Sequence, residues 1–285
     1  MPLDRMRPSA GLSNHVPTGL LMLLLLLVAA AASADDCDHR ADRDASDDLD
    51  GVTRVLIDVG AGSLEVTGVE GSSRLSAEGE ACASSKSLLD DIRLETRRRG
   101  STLELKADMP DAGGWGWGKK TARLDLRVEL PTGIDVEIDD GSGSIEVTDV
   151  QLTDLDDGSG SITIRGGRVG NIDDGSGGLD LRGTAGDLRI DDGSGEIEIT
   201  DHQGAVEITD GSGSLRLRTV TGDLRLDDGS GEIDLRDIRG NVVVRDGSGS
   251  IAADTVTGDF VVASDGSGGI RHQDVEGRVE VPSDD

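Results

Sequence analysis

The chain has 285 residues, a formal net charge of −29, 30% charged side chains and only 1% aromatic ones. A surface this acidic repels nucleic acid and anionic headgroups, so the composition excludes those partners and leaves cations, basic proteins or neutral glycans. Acidity with few aromatics also describes disorder, but here Ile, Leu and Val recur at fixed offsets, which disordered acidic tails do not show.

Residues 1–34 read as a signal peptide. Arg5 and Arg7 form a basic start, "GLLMLLLLLVAA" from Gly19 to Ala30 is the apolar run, and Ala32-Ser33-Ala34 is a small-residue cleavage site. The run is about a dozen residues, short of the roughly 18 that a spanning helix needs. Cleavage would take away Asp4, Arg5 and Arg7, moving the net charge from −29 to −30. The expectation is an exported protein, periplasmic or extracellular or associated with the cell surface, with no transmembrane span left after cleavage.

Residues 35–50 read as an acidic, mobile N-terminal segment. They contain Cys37, and Cys82 is the only other cysteine. An oxidising compartment favours pairing the two, which would tether this segment to the region around Cys82. Residues 51–139 read as a β-rich N-terminal cap. Its opening "VLIDVGAGSLEVTGVEG" resembles a worn version of the later repeat, with Gly60-Ala61-Gly62-Ser63 in place of the turn, and "DIRLETRRRGSTLELKAD" and "TARLDLRVELP" look like hairpin strands. Between those strands lies "DAGGWGWGKK", with both tryptophans of the chain. Trp115 and Trp117 could stack on a sugar ring or enter a partner's pocket with Lys119 and Lys120 beside them, or the loop could fold back as a lid and bury both indoles.

From residue 140 to 285 the chain repeats. Asp-Gly-Ser-Gly occurs eight times at starts 17 to 19 residues apart. In "GSGSLRLRTVTGDLRLDD", from Gly211, Leu215 and Leu217 alternate with polar residues, as do Leu224 and Leu226. Two short runs of period two, each bounded by a turn, predict two half-buried strands per unit. Four or five buried aliphatic chains contribute roughly 1.5 to 3 kcal/mol each, whereas ordering 18 residues costs about 1 to 2 kcal/mol apiece. One unit cannot stand alone. Units of this period must stack, so the fold class is all-β: a parallel β-solenoid, or β-helix, of eight coils and roughly 40 Å. Ile145, Ile162, Leu179, Ile197, Leu215, Ile233, Ile251 and Ile270 should form one inner column. Glu146, Thr163, Asp180, Glu198, Arg216, Asp234, Ala252 and Arg271 should form the outer column beside it, with cross-rung ion pairing at Glu198, Arg216 and Asp234.

The export signal, the early cysteine, the worn first coil, the stretch "VELPTGIDVEIDDGSGSIEV" and the serial Gly-Ser-Gly strands together resemble the bacterial putative-adhesin family of β-strand-repeat proteins, over about residues 47–282. The resemblance implies a stacked β-solenoid at or beyond the cell envelope, and it implies no catalytic residues. The uniform DDGSG turns and the Trp loop depart from the general family pattern.

The second Asp of the turn is present in all eight copies: Asp140, Asp157, Asp174, Asp192, Asp210, Asp228, Asp246 and Asp265. The first is replaced by Thr209, Arg245 and Ser264 in three. One reading is an Asx turn, with the carboxylate accepting backbone N–H bonds and the glycines supplying positive φ. The other is weak binding of Ca²⁺ or another cation. Carboxylates stacked at about 4.8 Å repel by roughly 1 to 2 kcal/mol in a solvated setting, while a hydrogen bond to a charge returns about 1.5 to 3 kcal/mol. The ladder can therefore stand without metal. The calcium-binding nonapeptide repeat also places its Asp after the glycines, and here it comes before them. No cofactor and no defined metal site is expected, and Ca²⁺ would bind at most weakly.

Val243 and Val261 fall on the outward phase of neighbouring rungs and could form a small contact patch. His202 and His272 lie about four coils apart, too far for a joint acid–base or metal role. Uniformly repeated carboxylates do not mark a catalytic pair with divided pKa values, so no enzyme activity is expected. The reading is a binding or structural module for an unidentified envelope or extracellular protein or glycan; a Ca²⁺-binding repeat protein is the alternative, and a self-assembling rod the third. Pro282 and the terminal carboxylates blunt the last edge, which predicts a monomer.

Overall fold

The computed structural model describes residues 37–110 and 120–282. The leader 1–34, Trp115, Trp117, Lys119 and the last three residues lie outside the described residues. The N-terminal part contains β1 (His39–Asp48), β2 (Arg54–Asp58), β3 (Ala61–Val69), β4 (Arg74–Ala83), a short helix α1 (Lys86–Asp91), β5 (Arg93–Arg99), β6 (Thr102–Asp108) and β7 (Ala122–Pro131). β8 (Asp135–Asp140) and β9 (Ser142–Thr148) make the first regular coil. Strands β10 to β23 repeat that pair up to β22 (Phe260–Asp265) and β23 (Gly268–Val275), and a two-residue β24 (Val279–Glu280) comes last.

Each regular coil gives one strand to each of two twelve-stranded sheets, and neighbouring rungs pair in parallel. The alternation predicted from sequence sets the faces. Leu188, Ile190 and Asp192 point in while Arg189 and Asp191 point out, and the same pattern returns at Leu224–Asp228. The expected inner column is in register from Ile145 to Ile270. It continues at the N-terminal end through Leu64 and Leu126. These chains belong to one core that runs the length of the stack.

The corner explains why its glycines repeat. Gly195 has φ +155°, and a Cβ there would lie 1.6 Å from the carbonyl oxygen of Gly177 on the rung below. A Cβ on Gly193 would meet the Gly175 carbonyl at 2.5 Å. Corner backbone stacks directly on corner backbone, and the ladder runs through the turn: Gly211 N donates to Asp192 O at 2.9 Å, and Gly213 N to Ser230 O at 2.9 Å. The opposite corner uses a left-handed residue instead, with φ +58° at Asp201, +54° at Thr219, +55° at Asp237 and +60° at Thr255. There the side chains of Asp223, Asn241 and Asp259 each accept a backbone N–H from the following coil.

At the N-terminal end the order of levels differs from the order of the chain. The worn coil β2–β3 is not the end of the stack. It lies between β6–β7 on one side and β8–β9 on the other, all in parallel pairing. The hairpin expected at residues 91–108 forms as β5–β6. "TARLDLRVELP", expected as a hairpin strand, is instead β7, parallel to β3 and antiparallel to β4. The acidic stretch expected to be mobile also forms structure: β1 pairs along its whole length with β4. Arg43 holds it further, donating to the carbonyls of Ile92 at 2.7 Å and Leu89 at 2.8 Å at the end of α1. Charge repulsion within β1 is offset by its own arginines and by the ladder, so composition alone misjudged it. Cys37 and Cys82 form a disulfide, with Cα atoms 5.5 Å apart, that joins the start of β1 to β4.

Candidate binding surfaces and the aspartate column

The second Asp of each turn ends an inward-facing alternation, so its side chain enters the core at the corner. Asp140, Asp157, Asp174, Asp192, Asp210, Asp228 and Asp246 are only 1–4% exposed, and Asp265 in the last coil is partly exposed. The Asx turn is present: Ser176, Ser194, Ser212, Ser230 and Ser248 each donate their backbone N–H to Oδ1 of the Asp two residues before, at 3.0 Å, and Ser159 does so at 3.3 Å. The other oxygen is different. Oδ2 of Asp140, Asp157, Asp174, Asp210, Asp228 and Asp246 is buried without a hydrogen-bond partner.

This placement changes the energetics assumed for a solvated ladder. At an effective dielectric constant near 20, charges about 4.8 Å apart repel by roughly 3.5 kcal/mol per neighbour, more than one hydrogen bond returns. Burial first, and then Asp157, pushes the Asp140 carboxyl up to about 6. Asp174 and Asp210 are likewise pushed up to about 6, chiefly by burial and also by their column neighbours. Burial raises Asp157, Asp192, Asp228 and Asp246 as well, against the Ser N–H bonds that lower them. Among the described residues no three His, Cys, Asp or Glu side chains converge as a metal site would require.

Outside the same strands, Asp58, Asp139, Asp156, Asp173 and Asp191 follow one another in register, and Lys106 pairs with Asp58 at the N-terminal end of the row. Burial and then Asp58 raise Asp139, and burial and then Asp156 raise Asp173. A second acidic surface is an open groove of about 490 Å³ over β1, β4, β7 and β3, where Asp42, Asp44, Glu78 and Asp125 lie near the Arg127–Glu65 pair at 2.9 Å.

The outer column keeps its expected register, but its ion pairs run diagonally. Arg216 pairs with Glu196, and Glu198 and Asp234 are met by Arg218 at 3.4 Å and 3.9 Å. Long side chains reach past the residue directly opposite. Val243 and Val261 are neighbours on successive rungs and half-buried, and Val243 borders a shallow groove of about 400 Å³ with Arg225 and Asn241.

His202 is fully buried. Its ring bonds Thr184 Oγ1 at 2.9 Å and the Gly186 carbonyl at 2.9 Å, and burial pushes its pKa down. It occupies the rung position that Val220 and Ile238 fill above it. His272 lies in the last coil, against Phe260 with ring centroids 6.1 Å apart. The two histidines do not meet. Lys120 is exposed at the start of the segment leading to β7. In chain order, residues 109–121 join β6 to β7 at the point where every regular coil has its Asp-Gly-Ser-Gly turn. Residues 111–119 of that connection, with both tryptophans, lie outside the described residues; the hairpin reading of the flanks missed that β6 and β7 belong to different sheets.

No curated protein matches the chain. Among solved structures, a "putative cell adhesion protein" from Clostridium sporogenes is 12% identical, with a TM-score of 0.33 over 85% of this chain and 99% of that one. A "putative adhesin" from Parabacteroides merdae is 12% identical, with a TM-score of 0.28 over 85% and 96%. A "putative lipid binding protein" from Parabacteroides distasonis is 14% identical, with a TM-score of 0.30 over 85% and 96%. The sequence profile of the Toastrack DUF4097 family matches residues 57–280, from β2 to the last strand, and the chain belongs to that family.

Proposed function

We propose that this protein is an exported, non-enzymatic binding module of the cell envelope or extracellular space, and that its contact surface is centred on the β6–β7 connection at residues 109–121. The observation that carries the reading is the contrast between corners. Each regular corner is the same acidic glycine turn stacked on its neighbour, so none can select a partner by itself. The connection from β6 to β7 is instead longer in sequence and contains both tryptophans with Lys119 and Lys120. Insertions in solenoids map to loops that commonly form the binding face, and Trp with Lys beside it suits stacking on the ring of a neutral glycan or entry into a partner's pocket. Export rests on the basic, apolar and small-residue order of residues 1–34. No helix among the described residues is long and apolar enough to cross a membrane.

The test is a pull-down with the mature chain against envelope material, with and without chelator, beside Trp115→Ala and Trp117→Ala variants. Loss of partners in the Trp variants, with capture unchanged in chelator, supports the loop. Capture that survives both substitutions and disappears in chelator would transfer the function to Ca²⁺ and the aspartate turns.

A further inference from the structure

We propose that the buried aspartate column from Asp140 to Asp246 is a proton-binding file, in which a carboxylic acid on one rung donates its O–H to the carboxylate of the next. Three observations on the column converge. Its side chains are 1–4% exposed, one oxygen of each is committed to a Ser N–H where that bond is made, and six second oxygens are buried with nothing to bond. Buried polar atoms are almost always satisfied, so this series of orphans calls for hydrogen-bond donors between rungs.

The geometry selects the ligand. A carboxyl spans roughly 2.2 Å between its oxygens, so two set along the stack axis on rungs about 4.8 Å apart would face each other at about 2.6 Å. That is the length of an O–H···O⁻ bond. Each gap brings only two carboxyls together, whereas calcium needs six or more oxygens, and no third acidic or imidazole ligand converges among the described residues. One acid has one proton and closes one gap, so protons on every second carboxyl join the rungs in pairs and leave no two carboxylates adjacent. Asp140, Asp174 and Asp210, the three pushed up to about 6, are alternate rungs of the column.

The charges facing the file all disfavour full ionisation. Within the column they are the neighbouring aspartates, ending with Asp265 beside Asp246. On the outer side of the same strands they are Asp139, Asp156, Asp173, Asp191 and Asp227. The inner face of the opposite sheet is the apolar column from Ile145 to Ile251. A small cavity of about 10 Å³ beside Asp140, lined by Val59, Leu64 and Leu124, has room for about one water at the N-terminal end of the file. The proton balance is closed: the acid keeps its proton, shares it with the next carboxylate, and returns it to solvent only when the coil opens or the pH rises.

The experiment is infrared spectroscopy of the whole mature chain with ¹³C-labelled aspartate in D₂O at about pH 6, compared with the same chain in denaturant. A carboxylic-acid band in the folded protein that is absent on unfolding is expected, because unfolded aspartates are ionised there. The triple variant Asp140→Asn, Asp174→Asn, Asp210→Asn supplies an amide donor where the acid stood. It should fold, lose the band, and melt at a higher temperature than the parent at about pH 8. Absence of the band in the parent overturns the proposal. So does a rise in Tm with Ca²⁺ or Na⁺ that the triple variant abolishes, since a metal would then hold the gaps.

Discussion

The regular coils and the N-terminal levels solve the same stacking problem in different ways. From β8 to β23 the next coil in the chain is the next level in space, each rung matches its neighbour, and the corner glycines touch like against like. At the N-terminal end β2–β3 is enclosed between β6–β7 and β8–β9, and antiparallel β1, β4 and β5 close the two sheets. A repeating rung offers the same open edge at both ends, and antiparallel strands, α1 and a disulfide cover one of them. Self-similarity builds the stack, and only dissimilar sequence can end it.

The sharpest way to break this contrast is a methyl group at a stacked corner. Gly213→Ala places a Cβ 1.6 Å from the Gly195 carbonyl at φ +158°, whereas Gly51→Ala meets nothing within 4 Å and is strained only by φ +74°. We expect a loss of about 2 to 5 kcal/mol for the first and about 1 to 2 kcal/mol for the second, measured by urea unfolding. Removing the disulfide with Cys37→Ser and Cys82→Ser comes next. It should cost about 2 to 4 kcal/mol, and hydrogen exchange should place the loss in β1 and β4 while the coils from β10 on keep their protection.

The pH profile separates two kinds of buried group within the coils by sign. The folded column aspartates bind protons at higher pH than unfolded ones, so the native state holds more protons between about pH 4 and about pH 6. Their contribution to stability is full below the unfolded value and is lost as pH rises through about 6. His202 acts with the opposite sign, because its lowered pKa makes acid favour the unfolded chain. The difference in Tm between parent and Asp140→Asn, Asp174→Asn, Asp210→Asn therefore isolates the aspartates: it should shrink as pH falls from about 8 to about 5. A difference independent of pH would remove the column from the account.

Two smaller effects sharpen the picture within the coils. Thr219 is a β-branched residue at φ +54°, and the rungs on either side have Asp201 and Asp237 there. Thr219→Asn should stabilise by about 0.5 to 1 kcal/mol, because Asn tolerates the left-handed region. Arg216→Ala, which removes an exposed ion pair with Glu196, should change stability by less than about 1 kcal/mol. Both are read as shifts of the urea midpoint at constant slope.

The repeating part of this fold was legible because its signals are local and periodic. Ile197, Leu215 and Ile233 stack as their spacing requires, since a slip of one residue would turn every apolar chain outward. The inward aspartates were legible by the same rule: Leu188, Ile190 and Asp192 share one phase. The expectation that carboxylates stay in water hid them. The diagonal reach of Arg216 to Glu196 was not legible, because long side chains choose among several partners of similar energy.

By itself the sequence determined the solenoid, its period, its two strands per coil and its inner columns, because stacking identical short strands is the only way such units bury enough apolar surface. The tertiary structure alone decided that β2–β3 is the second level rather than the first, that residues 39–48 form a strand, and that the corner carboxylates share the core with Ile and Leu. Those outcomes depend on which distant segments compete for the same sheet edge, and on how much water a stacked corner excludes. Neither quantity is contained in any one repeat.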